Sequence, residues 1–378
     1  MPTAFDDEYL PFFDQKVKFN VKDYTATKWR VLDAEAQEKW VEEVFRYYRD
    51  TYGFPYPVMS PTKIRSTLGT LVALNTEEMA HGDLIRWNGA ALALCSHYFP
   101  NIWKVPVRDI GSSGKYRRTA WEAFQNDDAL KDAIRLSFRM KSNRGAGAMP
   151  NDLIDAFSCG CGKWWVGVPS RFKPATAKFI WEQYAPPGGI VYDYACGWGG
   201  RLLGAATSKK NLTYVGVDPN LETVQGLKNL RADLVEYCAV PEARMRIEPV
   251  GSEDFCPDDL RGKVDVAFSS PPYYNLEAYS DDPTQSHVKY ATVDSWLEGF
   301  LFKTVDNCFT LLKPGGVFAI NIKDTAPFAF MDRVRVHAKS IGLVEETTWR
   351  MEMKQRRGAG APDGTYFNYE PIYVFRKP

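Results

Sequence analysis

From about residue 166 to its end the chain alternates short apolar runs with helical ones, and this alternation leaves few folds open. The apolar runs are "GGIVYDYACGWGG", "NLTYVGVDPN", "RMRIEPVGSEDF", "KVDVAFSSPPYY" and "GGVFAINIKD". Helical stretches fall between them at 201–208, 221–236 and 294–312. Such a pattern predicts a parallel sheet with helices on both faces. Two final runs, "GLVEETTWRMEMKQ" and "YEPIYVFRKP", predict a closing antiparallel hairpin. The expected architecture is therefore an α/β, mostly parallel, seven-stranded sheet.

The first 160 residues differ in style. "DAEAQEKWVEEVFRYYRDTYG" sets Trp40, Val41, Val44, Phe45, Tyr48 and Tyr52 at helical spacing, with Asp33 as N-cap and Gly53 as stop. "DDALKDAIRLSFRMKS" predicts a second helix, and "NRGAGAMPND" at 143–152 predicts a linker or loop. A length of 378 residues suits two domains. The division expected is a mainly helical region at 1–160 and an α/β domain at 161–378.

Several classes are excluded by what the chain lacks. No run approaches the ~20 apolar residues of a membrane span, and the acidic opening "MPTAFDDEYL" is no signal peptide. Seven scattered cysteines predict a reduced, cytoplasmic protein rather than a disulfide scaffold. Cys159 and Cys161 have no second close pair, so no metal site is expected. The net charge is zero, but residues 101–144 carry ten Lys/Arg against five Asp/Glu, a local balance of +5. A second basic spot, with Arg356 and Arg357, lies in "KQRRGAG". These stretches are ordinary solvated surface or, in a protein that handles a nucleobase, phosphate contacts.

The run "VDVAFSSPPYY" ends abruptly. Proline lacks the N–H a sheet needs, so Pro271 and Pro272 stop the strand and stiffen its exit. Ser270 stands on one side of this elbow and Tyr273 on the other.

At the end of the first run, Gly197, Gly199 and Gly200 permit close backbone approach to a ligand. Ligands of doubly wound sheets bind at such strand ends. Asp218 closes the next strand, 25 residues after Asp193, where an acid reaches both hydroxyls of a ribose. A nicotinamide dinucleotide fits poorly. Leu202 holds the third glycine place of G-x-G-x-x-G, and Asp193 would repel a pyrophosphate. A cationic, phosphate-free adenosine ligand suits the loop better.

With these residues in hand, a family can be named. "DYACGWGG" resembles the D-P-F-x-G-x-G-T loop of class I S-adenosylmethionine-dependent methyltransferases acting on exocyclic amines of DNA bases, with Tyr194 where proline is usual. "SPPY" resembles their catalytic [D/N/S]-P-P-[Y/F/W] motif. The resemblance covers roughly 166–378 and implies a Rossmann-like methyltransferase fold with S-adenosyl-L-methionine as cofactor. It implies that Asp193, Ala195, Cys196, Gly197, Gly199, Asp218, Pro219 and Ser270 line the cofactor site. Phe172, Lys173 and Pro174 would pack on its methionine end, and Glu253 and Asp254 compete for a place near its adenine.

The chemistry explains the elbow. A cytosine N4 or adenine N6 lone pair is delocalised into the ring, so catalysis must localise it on nitrogen. Two acceptors, Ser270 Oγ and the Pro271 carbonyl, would take the amine hydrogens, and Pro271 and Pro272 would hold them preorganised. Tyr273 would stack on an extruded base, with Tyr274, Asn275 and Tyr279 lining its pocket. His287 and Lys289 belong to a polar loop over the site, in reach of substrate phosphate at most. In the family, S-P-P-Y goes mostly with cytosine N4 and D-P-P-Y with adenine N6, so Ser270 favours cytosine. There is no Pro-Cys dipeptide for carbon-5 chemistry.

The expected partner is DNA, double-stranded, with a cognate restriction enzyme as a further one in a bacterial or phage-infected cell. RNA-base and free-nucleotide methylation remain alternatives. Residues following Pro272 leave no room for a separate recognition domain, so 1–160 is the candidate for holding DNA. Arg117, Arg118, Arg139 and Arg144 are its candidate phosphate contacts. The rival reading is a helical cap over the cofactor or a dimer contact.

Overall fold

The computed structural model describes residues 24–109, 113–140, 150–158, 164, 166–324, 329–353 and 368–378. These form two compact units. One takes residues up to Ser60 and Pro100–Ser170; the other takes Pro61–Phe99 and Arg171–Pro378. The expected division at about residue 160 is therefore corrected. Residues 61–99 leave the N-terminal region and belong to the α/β unit.

In the first unit, α1 (Ala34–Tyr47) starts where Asp33 accepts the Ala36 N–H at 2.8 Å. It continues as a wider turn over Tyr48–Tyr52 and stops at Gly53, whose φ of 78° suits glycine. Val41, Val44 and Tyr48 are buried on one face, as their spacing predicts. That helix packs against a later one, Asp127–Arg139. Trp29 stacks on Phe138 of the latter, ring centroids 4.5 Å apart.

The α/β unit holds one sheet. Its strands are β1 (Ala80–His81), β2 (Leu84–Ile85), β3 (Ile190–Asp193), β4 (Thr213–Val217), β5 (Met245–Glu248), β6 (Val264–Ser269), β7 (Leu312–Asn321), β8 (Val344–Met353) and β9 (Asn368–Arg376). The order is β1-β2-β8-β9-β7-β6-β3-β4-β5. Strands β3 to β7 run parallel, and β9 lies antiparallel between β7 and β8. Every residue of β6 is buried, as befits a strand covered on both faces.

Among the described residues the sheet has nine strands, not seven. The extra pair is the β1–β2 hairpin, two residues per strand, too short to show a period. It is held from outside itself: β2 pairs parallel with β8, and Arg350 binds the Asp83 carboxylate with two hydrogen bonds of 2.8 and 2.7 Å.

Other parts of 61–99 explain why that segment belongs here. Helix α2 (Pro61–Ala73) precedes β1, and helix α3 (Pro174–Tyr184) precedes β3. The buried Lys178 of α3 donates to the carbonyls of Leu71, Val72 and Leu74 at 2.8–3.1 Å, satisfying the end of α2. Helix α4 (Gly200–Ala206) follows β3 and α5 (Leu221–Cys238) follows β4. The single helix expected over 294–312 is broken into Val293–Trp296, a wide turn at Leu297–Phe302, and α6 (Lys303–Leu311). Gly299 sits in the wide turn, where an added Cβ would lie 2.2 Å from the Tyr290 ring. None of the described helices is long and apolar enough to cross a membrane.

Candidate functional site

Strand order reverses beside β3: the chain runs outward through β4 and β5, then returns to place β6 on the other flank of β3. A crevice at the carboxyl ends of β3 and β6 follows from that topology. The glycine loop leaves β3 and the elbow leaves β6, so the two motifs are brought together by the fold.

Beneath the loop lies a buried polar knot. Asp193 is fully buried. Its Oδ1 accepts from Arg201 Nε and Ser269 Oγ, both at 2.8 Å, and its Oδ2 accepts from the Tyr214 hydroxyl at 2.8 Å. Arg201 also reaches the Ala195 carbonyl and lies over the Phe172 ring. The expectation that Asp193 faces a cationic ligand is corrected. Its charge is met by Arg201 inside the protein, and its role in this structure is to hold the loop. Cys196 is buried in the same knot, 3.2 Å from the Tyr214 hydroxyl. Ala195 is half-buried above it.

The two glycines of the loop do different things. Both have left-handed φ, 51° at Gly197 and 71° at Gly199. An added Cβ at Gly199 would strike Leu230 at 2.7 Å and Phe99 at 3.0 Å, so Gly199 is needed for packing. At Gly197 the nearest atom is 4.0 Å away, so that position looks into open space. Its N–H donates to Asp218 Oδ2 at 2.9 Å, and Asp218 Oδ1 accepts the Asn220 N–H at 3.0 Å. Asp218 and Pro219 are half-buried at the end of β4. Burial pushes the Asp218 carboxyl up to about 6, against the two backbone donors that lower it.

After β5 the acids separate. Glu253 is buried and Asp254 is exposed. Glu253 Oε1 accepts from Lys289 Nζ at 2.9 Å, and Asp254 Oδ2 accepts from the same amine at 2.6 Å. Glu253 Oε2 is buried and makes no hydrogen bond among the described residues. The open Cα of Gly197, the Asp218 carboxylate and this unpartnered oxygen stand on neighbouring strand ends. They fit an adenosine: room for close approach, an acceptor for ribose hydroxyls, and an acceptor for an amine.

The segment before α3 contributes packing more than contact. Phe172 lies edge-on to Phe268 of β6, centroids 5.4 Å apart, and its carbonyl would sit 2.2 Å from a Cβ added at Gly200. Pro174 opens α3. Lys173 was expected at the cofactor's methionine end. Its buried amine instead lies 2.9 Å from Met353 Sδ and 3.7 Å from Met351 Sδ on β8. Burial lowers its pKa against the pull of Glu370, which stands opposite Met351 in the β8–β9 register.

At the elbow, Pro271 is buried, and Ser270, Pro272 and Tyr273 are half-buried. The Tyr273 phenol is pushed well up by burial and then by Glu370, while the Ser270 hydroxyl, within hydrogen-bond reach, lowers it. A long contact of 3.4 Å joins the Tyr273 hydroxyl to the Asn321 carbonyl. Tyr274 has φ of +53°, a left-handed conformation rare for a bulky side chain. That turn sends it into the core, edge-on to Trp296 and donating to the Ala291 carbonyl at 2.6 Å. Its expected place lining the substrate pocket is corrected. Asn275 and Tyr279 are half-buried beyond it. The Tyr279 ring lies 5.7 Å from that of Trp198 in the glycine loop, and its hydroxyl donates to Glu277.

The basic residues of the first unit are described by themselves. Arg117 pairs at 2.9 Å with the buried Asp109, which turns a candidate phosphate contact into an internal ion pair. Lys131 pairs with Glu42 and Arg135 with Glu38, so the +5 stretch is partly neutralised by α1. Arg118 lies over the Trp164 ring, 4.6 Å from its centroid, and Arg118 and Arg139 are exposed. Arg144, Arg356, Arg357, Cys159 and Cys161 lie outside the described residues.

Ser269, Arg201, Tyr214 and Trp198 are the residues that motif reading passed over. Arg201 had a signal, a cation eight positions after Asp193 at a helix start. The others are visible only once strands align.

The sheet order, with the glycine loop after β3 and the elbow after β6, is that of a Rossmann-like methyltransferase fold. Residues 264–378 match the model of the N6/N4 methyltransferase family, described as DNA methylase. Solved structures similar to it include a methyltransferase from Pyrococcus furiosus, 16% identical over 54% of this chain and 82% of that one, with a TM-score of 0.35. TrmN from Thermus thermophilus is 17% identical over 54% of this chain, with a TM-score of 0.37; the chain spans 49% of its length. The N-methyltransferase NodS from Bradyrhizobium japonicum, in complex with S-adenosyl-L-homocysteine, is 12% identical over 50% and 78% of the two chains, with a TM-score of 0.33. No curated protein matches the chain.

Proposed function

We propose that the protein methylates the exocyclic amine of a base in DNA, cytosine N4 before adenine N6, on a nucleotide turned out of the duplex. The observation that carries this reading is the elbow Ser270-Pro271-Pro272-Tyr273 at the end of β6, beside the glycine loop of β3. The family match over 264–378 supports DNA as substrate.

Ser270 Oγ and the Pro271 carbonyl accept the two amine hydrogens and draw the lone pair onto nitrogen. A serine hydroxyl carries two oxygen lone pairs that it can present to the amine. The prolines keep the acceptors in place, so little reorganisation accompanies reaction. Tyr273 supplies the face against which the base stacks. S-adenosylmethionine, when bound, supplies a methyl group activated by a sulfonium. The remaining work of the protein is alignment.

DNA is held through exposed cations, such as Arg118 and Arg139 in the first unit. The ion pairs of Arg117, Lys131 and Arg135 favour a second reading, a free-nucleotide substrate that needs few phosphate contacts.

Tritiated S-adenosylmethionine with duplex DNA, RNA and nucleosides, followed by base analysis, tests both. N4-methylcytosine in duplex DNA is expected. Ser270→Ala should abolish transfer while cofactor affinity stays within about twofold, because the serine acts on the transition state. Label only in nucleosides, or loss of cofactor binding in Ser270→Ala, would overturn the reading.

A further inference from the structure

Lys289 ends the loop that begins at the elbow, and it is the cation that meets the acids after β5. Its side chain is 35% exposed, while the Glu253 side chain it pairs with is 2% exposed. The acid turn itself is tied to α6. Asn307 on α6 donates to the carbonyls of Ser252 and Glu253 at 2.9 and 3.0 Å, and Ser252 Oγ bonds Thr304 Oγ1 at 2.7 Å. The Glu253 carboxylate lies against Gly251, where any Cβ would come within 2.4 Å of Oε2. One carboxylate oxygen is therefore taken by Lys289, and the other is fixed, buried and unpartnered among the described residues.

The same loop touches the other wall of the crevice. Tyr279 packs against Trp198 of the glycine loop. Between Tyr279 and Lys289 the loop thus joins the two sides of the cofactor crevice, and its first residues are the target-base elbow. Asp254 completes the pairing from the solvent side at 2.6 Å.

We propose that Lys289 is a positioning residue for the cofactor: by pairing with Glu253 Oε1 it orients the remaining oxygen toward the adenine amine, and it fastens the elbow loop across the bound cofactor. The inference rests on the methyltransferase reading above. It makes cofactor binding and ordering of the target-base elbow one coupled event, so that each favours the other.

The test is calorimetric titration of the full chain with S-adenosylmethionine and S-adenosylhomocysteine, for wild type, Lys289→Met, Lys289→Arg, Glu253→Gln and the double variant Glu253→Gln/Lys289→Met. Chymotrypsin cleavage of the tyrosine-rich loop, with and without cofactor, gives a second readout. Lys289→Met should weaken both ligands about tenfold, the worth of one charge-assisted hydrogen bond, and should lose cofactor protection of the loop. Lys289→Arg should restore both, and the double variant should bind no worse than Glu253→Gln alone. Wild-type affinity in Lys289→Met, or additive losses in the double variant, would overturn the inference while leaving the proposed function standing. A wild-type chain that binds neither ligand would overturn both.

Discussion

Arg201 Nε stands 2.8 Å from Asp193 Oδ1, and both side chains are all but sealed from water. The pair joins the end of β3 to the first turn of α4, and the glycine loop is strung between them. Burial disfavours the Arg201 charge, but Asp193 outweighs it, and the guanidinium pKa rises.

Removing one partner of such a pair leaves an uncompensated buried charge, at a cost of about 3–5 kcal/mol. Arg201→Met should lower unfolding free energy by that order in urea titrations at neutral pH. The double variant Asp193→Asn/Arg201→Met should recover part of the loss. A single variant as stable as wild type would show that the pair is not what holds the loop.

Asp218 predicts a pH dependence of cofactor binding. Its carboxyl is raised from 3.8 to about 6 in the folded protein. Between those values the native state keeps a proton that the unfolded chain has lost. The contribution of Asp218 to stability therefore falls as pH rises from about 4 to 6. Ribose hydroxyls need the ionised form as acceptor, so affinity moves the other way. The dissociation constant for S-adenosylmethionine should fall roughly tenfold per pH unit below 6 and level off above it. Calorimetry at pH 5, 6, 7 and 8 measures this, and Asp218→Asn should bind weakly with no such slope. A pH slope that survives in Asp218→Asn belongs to another group.

The two left-handed glycines should separate binding from folding. Gly197→Ala puts a methyl into open space at the crevice. It should cost about 1 kcal/mol of backbone strain and remove most cofactor affinity. Gly199→Ala drives a methyl into Leu230 and Phe99 and should destabilise the chain by at least twice as much. Thermal melts with and without S-adenosylmethionine distinguish them: Gly197→Ala should lose the ligand-induced shift, Gly199→Ala the melting temperature itself. Equal behaviour of the two variants would contradict these assignments.

The strands, the glycine loop, the elbow and Asp218 were legible because each is carried by local pattern. Period, glycine placement and proline act over a few residues. What the pattern could not carry was direction. Tyr273 and Tyr274 are the same residue type in sequence, and a left-handed φ at the second sends them to different places. Asp193 was read as facing a ligand because its partner approaches only when α4 folds back on the strand. The pairing of Lys289 with Glu253 spans 36 positions, and nothing near either residue announces it. The domain boundary failed for a similar reason. Ile64, Leu68 and Leu71 give 61–73 a helical period, but a period does not say which unit a helix joins, and the place of 61–99 is set by α3, α5 and β8.

The β1–β2 hairpin also bears on what else could pair with this sheet. Strand β8 is ten residues long, and β9 satisfies only one of its sides. The other side is a template for any passing chain, the kind of boundary from which sheets grow without limit. A two-residue patch at Leu84–Ile85, bolted down by Asp83 and Arg350, covers part of that boundary. The segment that supplies it is encoded more than 250 residues away from the strand it shields. A catalytic fragment begun at residue 161 would keep the residues of its loop, elbow and acids but lose Phe99, which packs against Gly199. It would also carry a bare β8 edge, and would be prone to assemble edge to edge.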